Sequence, residues 1–222
     1  YITRWLNMPI LTKSGKLIEK QGKGTPQGGV ISPLLANLFL HYAFDKWLET
    51  VDNTVKFVRY ADDAIIHCRS KSHAEYILKE LRSRMQECKL ELHPEKTKLV
   101  YCRDYRRRGK HPVVKFDFLG YSFQPRTNKS KRTGKLFLGF DCAISTGSRK
   151  KIADKLGDKE MDFFSLSFKS IVGIAQKLNP FIRGWVNYYG KFRGYELSRV
   201  FHLLRCRLVR WVRKRYKRYK TS

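Results

Sequence analysis

A chain of 222 residues with 42% hydrophobic and 14% aromatic content can bury a core and is too apolar for a disordered tail. Its 47 Lys and Arg stand against 19 Asp and Glu, a net charge of +28 that is relieved by a polyanion through counterion release. Nucleic acid is therefore the expected partner. A membrane is not, because no long apolar span or clean basic amphipathic helix is evident.

The first 31 residues are mixed and punctuated by glycine, ending in the turn cluster GTPQGG. Ser32 as N-cap and Pro33 at the first helical position predict a helix to about Val51, with Leu35, Leu38, Phe39, Tyr42, Phe44 and Trp47 available for burial. Two β-rich runs, 55–60 and 64–68, flank Ala61-Asp62-Asp63 and predict a hairpin. Ser72 and Glu75 form a capping-box pattern ahead of a helix to about Cys88, with Ile77, Leu78, Leu81 and Met85 at helical spacing. Strands are predicted at 98–102, 115–123 and 135–140, and the basic stretches 106–110 and 126–134 as loops. Helical patterns then take over at 149–156, 166–178, 180–189 and from 196 to about 219, which places a domain boundary at 144/145. Residues 146–222 hold 20 Lys and Arg but only 5 Asp and Glu. The five cysteines, Cys68, Cys88, Cys102, Cys142 and Cys206, are widely spaced without a Cys-x-x-Cys, which predicts reduced thiols in an intracellular protein.

Two motifs carry chemistry. In FVRYADDAIIH (57–67), adjacent carboxylates on a turn between strands can gather hard divalent cations such as Mg²⁺. Polynucleotide synthesis needs two such ions about 3.5–4 Å apart. Alone, Asp-Asp is also a common solvated turn. KGTPQGG (23–29) offers a glycine-permitted close backbone approach and a helix N-terminus to an anion, and Gln27 a hydrogen bond to a nucleotide. Alone, it is equally an ordinary loop-to-helix turn.

Taken together, GTPQGGVISPLLANLFLHYAFDKWL followed by RYADDAIIHC resembles consecutive signature blocks of group II intron reverse transcriptases. LHPEKTKLVYC and FDFLGYSF resemble the later palm blocks of that family, and LNPFIRGWVNYYGKF its maturase signature, which doubles as the thumb. The order is the family's, and the resemblance covers nearly the whole chain. It implies an α+β fold: a partial reverse-transcriptase palm, an antiparallel sheet with helices, over 1–144, and an all-α basic thumb/maturase domain over 145–222. It implies an RNA-directed DNA polymerase and splicing maturase. The partners implied are intron RNA, an RNA template with a DNA primer or target, and dNTPs, in a bacterial cytoplasm or an organelle; homodimerisation is left open.

By position, the resemblance makes Asp62 the catalytic metal ligand and Asp63 its conventional neighbour, with Mg²⁺ as cofactor. Tyr60 and Ala61 would line the primer terminus. Pro26, Gln27, Gly28 and Gly29 would pack on the incoming nucleotide and template. Leu119, Gly120 and Tyr121 would form the primer grip. Lys96 matches a palm lysine that would protonate pyrophosphate, although a plain surface lysine is the simpler reading.

The family's further aspartate, on a strand before the GTPQGG block, has no counterpart: residues 1–24 contain none. Asp45, Asp52, Asp104 and Asp117 lack the right context. With a first residue Tyr1 that is not Met, the chain is expected to be a segment without fingers and first palm motifs, inactive alone as a polymerase. No His/Cys-rich endonuclease segment follows in the sequence.

In the basic half, Phe181, Trp185 and Tyr188 are expected in the core, whereas Arg183, Asn187, Tyr189 and Lys191 are expected to face RNA. The last helix carries Arg213, Lys214 and Arg215 within a run of cations without an acid, for which RNA contact is again the expectation. The alternatives are a splicing maturase remnant that binds RNA without polymerising, and an unrelated basic RNA-binding protein.

Overall fold

The computed structural model describes residues 1–12, 14–19, 29–107, 109–158, 163–164 and 170–216, and of Trp5 only the backbone. The chain forms two compact units, Tyr1–Leu99 and Val100–Ser222. This division lies upstream of the expected 144/145 boundary, which falls where a strand runs on into a helix of the second unit.

In the first unit, α1 (Ile2–Asn7) and the short antiparallel strands β1 (Ile10–Leu11) and β2 (Leu17–Ile18) precede a continuous helical run. That run begins as α2 (Ser32–Leu40), widens to a π-helical stretch at His41–Lys46, and ends as α3 (Trp47–Val51). Pro33 occupies the first turn, as expected, but the N-cap is Ile31 and not Ser32. Only the second half of the run is covered: Ala43, Phe44 and Leu48 are buried, while Leu38, Phe39 and Tyr42 are exposed, contrary to expectation. The packing partner explains this. Phe44 and Leu48 meet Ile77, Leu81 and Met85 of α4 (Lys71–Glu87), and no α2 residue belongs to that core. The N-cap of α4 is Ser70, whose side chain accepts a 3.1 Å bond from the His73 amide, so the capping pattern at Ser72 lies two residues too far along.

β3 (Lys56–Tyr60) and β4 (Asp63–His67) form the predicted hairpin, with Tyr60 opposite Asp63 and Phe57 opposite Ile66. Asp63 thus belongs to the strand, and the turn is Ala61-Asp62. Phe57 and Ile66 join the α4 core, while Val58 is half exposed, so one face of this two-stranded sheet is covered.

The second unit opens on irregular chain. Residues 98–102 form no strand, and Tyr101 is tied by its amide to the Val113 carbonyl at 2.9 Å. The expected strand 115–123 is two, β5 (Phe116–Phe118) and the start of β6 (Tyr121–Lys129), separated by Leu119 and Gly120 at φ +49° and +79°. β6 pairs along its whole length with β7 (Leu136–Ile144), taking in residues expected as a loop. Pro125 is tolerated because it lies beyond the end of β5, where β6 has become an edge.

β7 passes directly into α5 (Thr146–Gly157), capped by the Ser145 hydroxyl on the Ser148 amide at 3.0 Å. α6 (Ile171–Tyr189) is one helix and not two, with Pro180 inside it. A 3₁₀ turn at Gly194–Leu197 leads to α7 (Ser198–Arg215). Ile144, Ile152, Leu156, Ile174, Leu178, Val200 and Trp211 pack together, so the sheet end and all three helices share one core. Arg193 reinforces it, bonding Asp141 of β7 at 2.7 Å and the Thr127 carbonyl of β6 at 3.0 Å.

Candidate functional site

The carboxylate pair sits at the tip of the β3–β4 hairpin. Ala61 turns the chain at φ +53°, a conformation that a residue with a Cβ adopts at some cost. One side chain supports the turn from beneath. Along β3, Phe57 and Arg59 lie on the covered side and Val58 and Tyr60 on the open side. Arg59 therefore reaches inward, where its Nε and Nη2 bond the two carboxylate oxygens of Asp45 at 2.7 and 2.6 Å. Its Nη1 bonds the Ala61 carbonyl at 2.9 Å and the Asn37 side-chain oxygen at 3.0 Å. Asp45 belongs to the π-helical stretch, and π-helical insertions are frequent at functional sites. Hydrogen bonding to Arg59 lowers the Asp45 carboxyl below its usual range against the opposing effect of burial, with the Arg59 charge and His41 adding to the fall.

Tyr60, Ala61, Asp62 and Asp63 are all exposed at this tip, so it is open to a ligand. Two adjacent carboxylates are hard oxygen donors of the kind Mg²⁺ takes beside its waters and substrate phosphates. Among the described residues, no group of three or more His, Cys, Asp or Glu side chains could hold a metal. Gly29 is half-buried, and its carbonyl accepts a 3.2 Å bond from the Ser32 amide at the start of α2. Pro26, Gln27 and Gly28 lie outside the described residues. Lys96 is exposed in a turn of the first unit.

In the second unit, Leu119 and Gly120 form the β5–β6 turn and Tyr121 is buried directly after it. Arg183, Asn187 and Lys191 are exposed along α6 and just beyond it. Tyr188 is 45% exposed, whereas Tyr189 packs against the core, the reverse of the orientation expected from their spacing. Arg213, Lys214 and Arg215 are exposed in the last turn of α7; Lys217, Arg218 and Lys220 lie outside the described residues.

The sequence reading missed Arg59, Asn37 and the supporting role of Asp45. A signal existed for Arg59: it occupies the inward phase of an alternating strand, where a cation implies a partner. Nothing comparable marked Asp45, fourteen residues upstream on a helix.

Residues 1–123, just over half the chain, match the family model of reverse transcriptase (RNA-dependent DNA polymerase). Residues 164–222 match that of the group II intron maturase-specific domain. The chain is 26% identical over 263 aligned positions to the group II intron-encoded protein LtrA of Lactococcus lactis subsp. cremoris, and equally to that of its strain MG1363. The alignment covers 83% of this chain and 42% of LtrA, so the chain spans less than half the length of these relatives.

Proposed function

The chain belongs to the reverse transcriptase family and carries a group II intron maturase-specific domain, and from that premise we propose that it is the palm-and-thumb portion of an intron-encoded polymerase and splicing maturase. The observation that carries the reading is the exposed Asp62–Asp63 pair on a hairpin turn fixed from beneath by Arg59. On this reading Asp62 and Asp63 ligate Mg²⁺, Tyr60 and Ala61 line the primer terminus, and the loop of Pro26, Gln27, Gly28 and Gly29 meets the dNTP and the template. Lys96 serves the leaving pyrophosphate. Leu119, Gly120 and Tyr121 grip the primer. Arg183, Asn187, Lys191, Arg213, Lys214 and Arg215 contact intron RNA, through phosphate pairing and polar bonds on an exposed helical surface.

Two carboxylates do not complete a two-metal site. The 222-residue polypeptide alone is accordingly read as binding nucleic acid without extending a primer. Among the described residues no third carboxylate, His or Cys joins the pair, which favours a second reading, a maturase that binds intron RNA without polymerising. The intact and braced carboxylate turn weighs for the polymerase.

Binding of the purified chain to a group II intron RNA, in competition with an unrelated structured RNA of equal length, tests the maturase part. A preference for the intron RNA that persists as salt rises supports it; equal binding to both RNAs at every salt concentration overturns it.

A further inference from the structure

The β5–β6 turn is held by the helical domain. The Tyr188 hydroxyl, at the end of α6, donates to the Leu119 carbonyl at 2.8 Å. The Tyr121 hydroxyl donates in return to the Tyr188 carbonyl. The Gly120 carbonyl accepts from the Ser145 amide and the Ser148 hydroxyl, each at 2.9 Å, at the start of α5. Behind the turn stands Tyr189. A Cβ added at Gly120 would lie 3.0 Å from its hydroxyl and 2.9 Å from that of Ser148, on a residue already at φ +79°. The Tyr121 ring completes the contact, with its centroid 5.5 Å from Tyr188 and 5.6 Å from Tyr189.

Both ends of this contact have a family assignment of their own. Leu119–Tyr121 lies within the reverse-transcriptase match, and Tyr188–Tyr189 within the maturase-specific match. We propose that Tyr188 and Tyr189 are positioning residues for the primer terminus: they seat the Leu119–Gly120 turn, so the maturase-specific helix sets the shape of the grip on the primer. The proposal rests on the reading of Leu119–Tyr121 as the primer grip. Leu119 carries a side chain at positive φ, which is costly outside glycine, and four hydrogen bonds with two ring contacts hold the turn there. Tyr188 is 45% exposed, so its hydroxyl can be removed without opening the core. Tyr189 acts by filling the space that a side chain at position 120 would need.

The test uses the full 222-residue chain and a DNA primer on an RNA template, the primer carrying a photoreactive 3′-terminal nucleotide. Crosslink position, primer–template affinity and affinity for intron RNA are read on wild type and Tyr188→Phe. We expect wild type to crosslink within residues 119–121. Tyr188→Phe should weaken primer–template binding about three- to tenfold, the scale of one lost hydrogen bond, and leave intron-RNA affinity within about twofold. Tyr121→Phe, which removes the reciprocal bond, should act in the same direction. A wild-type crosslink elsewhere overturns both the grip and the positioning role. A crosslink at the turn, with primer affinity unchanged in Tyr188→Phe, overturns the positioning role alone. Equal losses in primer and intron-RNA affinity would assign Tyr188 a merely structural part and overturn it too.

Discussion

Arg59 holds Asp45 in a two-armed ion pair, with side chains 12% and 16% exposed, and still reaches the backbone carbonyl of Ala61. The fork geometry of the guanidinium is what permits both tasks; a lysine has one point of charge and cannot repeat them. Removing the cation leaves a carboxylate largely out of water. Arg59→Ala should therefore lower stability by about 2–3 kcal/mol, at or just below the range of about 3–5 kcal/mol for breaking a fully buried pair, since this one keeps some exposure. Arg59→Lys should recover only part of this. Urea unfolding of the chain and both variants checks it, and an Arg59→Ala loss below about 0.5 kcal/mol would show the pair to behave as an exposed one.

The same pair gives a pH dependence. The folded Asp45 carboxyl titrates below its ordinary value of 3.8, chiefly through its hydrogen bond to Arg59. A depressed folded value means stability that is present in full above the unfolded value and lost as pH falls through the folded one. We predict that the stability gap between the native chain and Asp45→Asn is constant at neutral pH and narrows below about pH 4. Unfolding midpoints at pH 7 and pH 3 measure this. A gap of the same size at both values would contradict it.

How far the sequence was legible depended on the range of the interaction. Local signals worked: the alternation around Asp62 and Asp63 predicted the hairpin, and the spacing of Ile77, Leu81 and Met85 predicted the buried face of α4. Positions decided by distant chain did not. Leu38 and Phe39 have the apolar spacing of core residues, but no described element covers them. The extension of β6 through Arg126 to Lys129 depended on β7 supplying a partner strand, which overrode a basic, loop-like composition. Tyr188 and Tyr189 exchanged places because distant chain sets their surroundings: Tyr189 packs on the core shared by α5 and α7, and the Tyr188 hydroxyl bonds Leu119, sixty-nine residues away.

At the end of α7, Arg213, Lys214 and Arg215 are exposed and consecutive. If they meet phosphates, reversing all three to Glu should weaken RNA binding and reduce the slope of log K against log salt by about 2–3, at roughly 0.7–0.9 per lost phosphate contact. Affinity measured across a salt series reads both quantities. An unchanged slope would remove this segment from the RNA interface.

Cysteine reactivity follows burial. All five cysteines are free thiols, and burial raises Cys68, Cys102 and Cys142 above the usual thiol range, with nearby acids adding to the rise. Less thiolate forms at a given pH, so alkylation is slowed. In the native chain at pH 7.5, Cys142, which is 7% exposed, should be alkylated more slowly than the half-buried Cys206. Mass spectrometry of peptides after timed alkylation checks it.

The most direct measurement of the central claim is primer extension on an RNA template by the purified 222-residue chain, with Mg²⁺ and dNTPs, beside Asp62→Asn. On the reading proposed above, the turn's two exposed carboxylates are one ligand short of a working metal site. We predict that the chain binds the primer–template and adds no nucleotides, with Asp62→Asn indistinguishable from it. Extension by the unaltered chain that Asp62→Asn abolishes would contradict that account and show the two carboxylates to suffice.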